Sequence, residues 1–274
     1  MNKILGIASV VIMIGAMGYL VVNEFSSSAE VDAVRATDTK QSETTAKTAK
    51  TAKTDSSEAS TTESTKEKES DLPDVSPDDW QLVLVGPDHK LEKEIDESTQ
   101  LVSLDNGYLI DKRVEADYKA FANAASEAGF PLAMVSAYRS VSSQQEVFTQ
   151  HVQQVMAQKG VTEEEATTET KLTMTEPGYS EHHTGLAVDV VDQDWYNNYT
   201  STVLDASYGD QPGAKWIAEN APKYGFIVRY PNGREDITKI TYEPWHLRYV
   251  GKESAKYITE HDLTLEEYLD KLKK

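Results

Sequence analysis

The sequence contains no cysteine. Disulfides, thiolate metal sites and a lipid-modified N-terminal cysteine are thereby excluded, so any metal must be held by His, Asp or Glu. Positive charge is also scarce: 27 Lys and Arg stand against 46 Asp and Glu, a net charge of −19 over 274 residues. The deficit is uneven, with 8 basic against 10 acidic side chains in residues 1–70 and 19 against 36 in residues 71–274. A body that acidic lacks the basic face that nucleic acid or an anionic lipid surface requires, and neither is expected as its partner. Large apolar residues are nearly absent from residues 23–72, which are rich in Ser, Thr, Ala, Lys and Glu.

One long apolar run is present, Ile4 to Val22, 19 residues without a charge behind Met1-Asn2-Lys3. As a helix it spans roughly 28 Å, close to a bilayer core, and it exceeds the core of a typical signal peptide. An uncleaved anchor is the preferred reading. The small-x-small site Ser27-Ser28-Ala29 leaves cleavage open; the remainder is exported in either case. Residues 23–72, in which Thr45-Ala46-Lys47 occurs three times in succession through Lys53, cannot bury enough surface to offset the entropy of ordering. They read as a flexible tether. An anchor followed by a tether suits a protein of the outer membrane face that reaches into a cell wall.

The body begins near Pro73 and runs to Lys274, enough for one core. Its patterning predicts strands at 80–85, 132–137, 186–191, 225–230 and 245–250. Helices are predicted at 111–129, 142–159, 214–224 and from Leu265 onward. Helices and strands are interspersed without a βαβ rhythm, which predicts an α+β domain with a mainly antiparallel sheet flanked by helices.

Two stretches carry the chemistry: Ser180-Glu181-His182-His183-Thr184-Gly185-Leu186-Ala187-Val188-Asp189, and Glu243-Pro244-Trp245-His246. Together they offer two imidazoles, a carboxylate inside an apolar run and a second carboxylate three residues before the last His. These are the parts of a hydrolytic zinc centre: three protein ligands, an open position for water, and a general base beside it. On a strand, Leu186, Val188 and Val190 share one face and Ala187 and Asp189 the other, so Asp189 points away from the apolar side. Such an acid must be paired, hydrogen-bonded or metal-bound. Taken alone, Asp189 is equally a ligand or a salt-bridge partner, and His182 reads more readily as a structural histidine. Pro244 drives Glu243 into extended backbone, which excludes the helical H-E-x-x-H geometry and sets Glu243 at the mouth of a strand. There it suits a general base; a pair with Arg248 is the alternative.

The two stretches match S-x-H-x-x-G-x-A-x-D and E-x-W-H, and Ser136-Ala137-Tyr138-Arg139-Ser140 with Gln144 supplies a third motif in order. In these motifs, over about residues 78–252, the sequence resembles the D-alanyl-D-alanine carboxypeptidase family of zinc peptidases. That family includes VanY-type D,D-carboxypeptidases and L,D-carboxypeptidases, and has a hedgehog-like fold. The resemblance implies a zinc ion on His182, Asp189 and His246, with Glu243 as base. It also implies Arg139, Gln144 and Ser180 as holders of the substrate's terminal D-residue or of the developing oxyanion, with peptidoglycan stem peptides as substrate. Removal of a terminal D-Ala is the reading carried forward. L,D-cleavage of tetrapeptide stems and a non-catalytic zinc-containing wall-binding module are the alternatives, the last opposed by the intact Glu243. His183 stands where many relatives carry Gln and is expected to point away from its neighbour. His89, His151 and His261 are expected at the surface, and Trp245 and Tyr249 in the core. Oligomeric state is not legible in the sequence.

Overall fold

The computed structural model describes residues 71–273. The expected anchor at 1–22 and the tether through residue 70 lie outside the described residues. Among the described residues no helix is long and apolar enough to cross a membrane.

A short hairpin opens the body, β1 (Leu101–Ser103) against β2 (Leu109–Asp111), preceded by the single turn α1 (Glu97–Gln100). Helix α2 (Glu115–Glu127) leads into β3 (Leu132–Ser136). A helical hairpin follows, α3 (Val141–Lys159) and α4 (Glu163–Thr170). Then come β4 (Ala187–Asp192), α5 (Gln193–Asn198), α6 (Pro212–Asn220), β5 (Phe226–Tyr230) and α7 (Glu235–Thr238). The chain closes with β6 (Glu243–Tyr249), α8 (Lys252–Glu260) and α9 (Leu265–Leu272). Strands β3-β4-β6-β5 form one antiparallel sheet in that order. The expected α+β class and antiparallel sheet are therefore present.

The sheet separates two environments. Val188, Val190, Phe226 and Leu247 join Tyr118 and Phe121 of α2 and Ala214 and Ile217 of α6 in the main core. Ile227 joins a second cluster made by Leu82, by Ala255 and Ile258 of α8, and by Leu265, Tyr268 and Leu269 of α9. Leu72 and Val75 pack partly buried against that second cluster. Asp189, His246 and Arg248 are buried too, so the alternation in β4 separates apolar from functional side chains while neither face is left to water.

Three expectations are corrected. Residues 80–85 form no strand; Trp80–Leu82 is a 3-10 turn. Trp80 stacks on Tyr249 at 5.9 Å with Arg113 3.7 Å above its ring, and the carbonyls of Gln81 and Val83 accept from Arg248. Those carbonyls are satisfied by a guanidinium rather than by a neighbouring strand. The helix expected from Asp111 starts at Glu115, because Asp111 closes β2 and its carboxylate accepts from the backbone N–H and Nε of Arg113. The helix expected over 214–224 is α6 followed by a 3-10 turn, Ala221–Tyr224, whose second residue is Pro222.

Candidate metal centre

The site is built where three strands meet. In the sheet register Asp189 of β4 lies between Ser136 of β3 and His246 of β6, so all three side chains share a face. His182 comes from the 3-10 turn Glu181–Thr184 just before β4, which Ser180 caps by accepting from the His182 N–H at 3.3 Å. Gly185 ends the turn at φ 69°, where a Cβ would meet Leu101 Cδ2 at 2.9 Å and the Asp111 backbone nitrogen at 3.0 Å. Only glycine fits there.

Glu243 and His246 are three residues apart, which in a regular strand would put them on opposite faces. The β5–β6 pairing shifts register between Val228, opposite Leu247, and Tyr230, opposite Glu243. The extra residues of β6 form a bulge, which turns Glu243 to within 3.6 Å of His246 Nδ1. Pro244, with no N–H to give the ladder, falls inside the bulge.

His182, Asp189 and His246 offer ligand atoms all within 4.8 Å of one another, and all three residues are buried. The two imidazoles meet edge to face at 5.0 Å. His182 Nδ1 lies 2.7 Å from the Ala137 carbonyl oxygen, which can only accept, so the ring proton sits on Nδ1. Burial lowers the pKa of this histidine, with Asp189 opposing the shift. Its Nε2 lone pair then faces Asp189 Oδ2 at 3.2 Å. Asp189 Oδ1 is buried 3.1 Å from His246 Nδ1 yet makes no well-aligned hydrogen bond. A buried carboxylate oxygen without a donor, and a nitrogen lone pair facing its partner oxygen, are the arrangement a cation completes. Three oxygen and imidazole donors suit zinc in a site that keeps a position open.

The electrostatics agree. Burial works against the charged form of His246, but its contacts with Asp189 and Glu181 and the charges of Asp189 and Glu243 overcome it and raise its pKa to about 10. That proton stands where a metal cation would. Asp189 is held well below the usual carboxylate range despite its burial, chiefly by His182 and His246. Glu243 is pushed up to about 8 by burial and by the nearby Asp189 and Glu181, with His246 opposing. A base poised near neutrality matches the demand of general acid–base catalysis.

One cavity of about 260 Å³ joins this cluster to Arg139, Gln144, Ser180, His151, Met174 and Trp245. Arg139 Nη1 donates to Gln144 Oε1 at 2.8 Å and Nη2 to Ser136 Oγ at 2.9 Å. Gln144 Nε2 donates in turn to the Thr175 carbonyl at 2.7 Å, so Gln144 holds Arg139 against the wall. Burial lowers the Arg139 pKa, and Asp189 opposes that shift. Its hydrogen-bond partners are neutral, which leaves the guanidinium charge for an anion in the cavity.

The expected positions of two histidines and one tryptophan divide. His183 is buried and points away: Nδ1–H donates to the Arg139 carbonyl at 2.7 Å and Nε2 accepts from the Gly178 N–H at 3.0 Å. Both nitrogens are committed, so it staples loops and holds no metal. His151, expected at the surface, lines the cavity wall on α3, two helical turns beyond Gln144. Trp245 packs against the main core and also lines the cavity. The expected alternative of a Glu243–Arg248 pair is not formed; Arg248 Nη1 donates to Glu181 instead.

A family model described as VanY, D-alanyl-D-alanine carboxypeptidase, matches residues 107–252. The chain belongs to that family. YodJ of Bacillus subtilis (strain 168), named as a carboxypeptidase, is 40% identical over 187 residues, 65% of this chain and 63% of that relative. The chain thus spans less than two thirds of that relative's length. Among solved structures, the vancomycin resistance D,D-pentapeptidase VanY from a VanB-type cassette, in mutant form with Zn(II), superposes with a TM-score of 0.61 at 36% identity, over 70% of this chain and 99% of that one. The LD-carboxypeptidase LdcB gives a TM-score of 0.56 at 38% identity, over 68% of this chain and 84% of that one.

Proposed function

We propose that this chain is a zinc carboxypeptidase that removes the C-terminal D-Ala from peptidoglycan stem peptides. The observation that carries the reading is the unsatisfied Asp189 Oδ1, set beside two imidazole nitrogens in one cavity with Glu243 and Arg139. His182 through Nε2, Asp189, and His246 through Nδ1 would hold the ion. When bound, zinc supplies Lewis-acid polarisation to water and to the scissile carbonyl.

The remaining work falls to the protein. Arg139, braced by Gln144 and Ser136, takes the negative charge of the peptide's terminal carboxylate or of the developing oxyanion. The Glu243 carboxylate removes the proton from the attacking water. The water oxygen bonds to the carbonyl carbon before the terminal D-Ala, the C–N bond breaks, and Glu243 returns the proton to the leaving amine. Membership in a family described by D-alanyl-D-alanine cleavage supports the D,D-reading; the likeness to LdcB supports L,D-cleavage of tetrapeptide stems as the second. The apolar run 4–22 and the tether support a place at the outer face of the membrane, with the catalytic body reaching into the wall.

Mass spectrometry of products from matched pentapeptide and tetrapeptide stems tests both readings. Loss of one alanine from the pentapeptide alone, abolished by a chelator, is expected. Cleavage of the tetrapeptide alone would move the assignment to L,D-cleavage.

A further inference from the structure

Glu181 is the most completely buried acid near the site, and the reaction as described gives it no task. Its Oε2 accepts from His246 Nε2 at 3.3 Å, on the side of the ring opposite Asp189. Its Oε1 accepts from Arg229 Nε at 2.7 Å and from Arg248 Nη1 at 2.5 Å. Both guanidiniums are themselves fully buried. Arg229 also donates to both carboxylate oxygens of Glu266, at 3.0 and 2.6 Å. Arg248 Nη2 donates to the carbonyls of Gln81 and Val83 at 3.0 and 2.6 Å.

A charge cluster of this kind is a poor source of stability, because desolvating four ions costs about what their attraction returns. Apolar side chains would fill the same volume more favourably. What the cluster does provide is a buried carboxylate fixed by two guanidiniums. Arg229 Nε and Arg248 Nη1 both donate to its Oε1, which holds the carboxylate as an acceptor with Oε2 turned to the His246 ring. A carboxylate paired with two guanidiniums can only accept, so His246 carries a proton on Nε2, and Nδ1, on the Asp189 side, is the nitrogen left for a metal. His182 is set the opposite way by the Ala137 carbonyl. The two rings therefore offer different nitrogens to one point. A carboxylate behind a ligand imidazole fixes its tautomer and strengthens it as a donor.

We propose that Glu181 is a positioning residue for the metal ligand His246, and that Arg229 and Arg248 hold its carboxylate in place behind the ring. The buttress reaches beyond the span of the family match: Gln81 and Val83 precede residue 107, and Glu266 of α9 follows residue 252. The segment at 80–83 and the C-terminal helix thereby become parts of the metal site at one remove. The proposal rests on His246 being a metal ligand.

The test uses ¹⁵N-histidine-labelled protein loaded with zinc, with Glu181→Gln and Thr162→Ala as variants. Thr162 caps α4 by accepting from the Glu165 N–H, so its loss weakens the fold at a helix that carries no member of the charge cluster. In the wild type, long-range ¹H–¹⁵N spectra are expected to show His246 metal-bound at Nδ1 with a slowly exchanging Nε2–H. In Glu181→Gln that proton is expected to exchange faster, and chelator competition is expected to show zinc affinity lower by about 10- to 100-fold. Thr162→Ala is expected to lower Tm and leave zinc affinity unchanged. A Glu181→Gln protein with wild-type zinc affinity and an unaltered His246 spectrum would overturn the proposal. So would zinc on Nε2 of His246 in the wild type, a result that stands even if the variant does not fold. Failure of the wild type to bind zinc through His246 at all would instead overturn the metal-site reading.

Discussion

A carboxyl pushed up to about 8 by burial is protonated at neutral pH until a cation arrives beside it. At Glu243 this separates two roles that a single distance cannot. The side chain stands 3.6 Å from His246 Nδ1, within reach of an ion held there and outside the cluster of His182, Asp189 and His246. Glu243→Gln is therefore expected to retain zinc, measured by metal analysis after gel filtration, and to lose about 10²- to 10⁴-fold in kcat. His246→Ala is expected to lose the zinc itself. A Glu243→Gln protein with full turnover would remove Glu243 from the chemistry. At this scale the sequence was legible where residue type and local spacing sufficed. Asp189 inside an apolar strand and His246 behind Pro244 could be singled out without a structure. Glu181 could not, because it sits beside a candidate ligand and reads as one more acid in an acidic chain. Its partners Arg229 and Arg248 lie 48 and 67 residues away. His151 was missed for a related reason: helical spacing says which residues share a face, but not what that face opens onto.

Turns and bulges aim these side chains, more than the regular elements do. The β6 bulge brings Glu243 and His246 to one face, and Gly185 lets the His182 turn enter β4 against the β1–β2 hairpin. Gly185→Ala must place a Cβ at positive φ against the Asp111 backbone. It is expected to destabilise the fold by about 1–3 kcal/mol, read as a shift in the denaturation midpoint; an unchanged midpoint would show that the hairpin yields. Helix α3 was foreseen almost to the residue, since its apolar stripe and Gly160 stop are local signals. The sheet strands were foreseen for the same reason. The β1–β2 hairpin, α4 and α8 were not. The two strands of the hairpin have only three residues each, too few to show alternation. Helix α4 is a run of Glu and Thr that buries only Ala166 and Thr170, so its periodicity is weak, although its capping box from Thr162 to Glu165 was there to be read. The bulge itself had only Pro244 as a trace.

Across the whole molecule the buried charges set the response to pH. Without metal, His246 keeps its proton up to about 10 and Glu243 up to about 8. A dication on the site must displace protons from both surroundings, so zinc affinity weakens as the pH falls. Calorimetric titration of zinc in buffers of different ionisation enthalpy is expected to show release of between about one and two protons per ion at pH 7. No buffer dependence would contradict that protonation state. Glu181 and Asp189 act in the same direction on the fold. Their pKa values are depressed, so the stability they contribute is present above their ordinary values of 4.5 and 3.8 and is lost as the pH falls below them. The protein is thus expected to lose metal first and fold second on acidification. Net charge and the contrast in composition between residues 23–72 and the body were read directly, because they are sums over the chain. The coupling of both ends of the body to His246 was not, since it depends on which buried arginine meets which carboxylate.

One zinc ion held by His182, Asp189 and His246 would make this chain a D-alanine-releasing carboxypeptidase. The most direct test strips the protein with a chelator, titrates zinc back, and follows release of D-alanine from a stem pentapeptide. Release is predicted to be absent without metal, to rise in proportion to added zinc and to level off at a single equivalent. Release from the metal-free protein, or none with one zinc bound per chain, would contradict it.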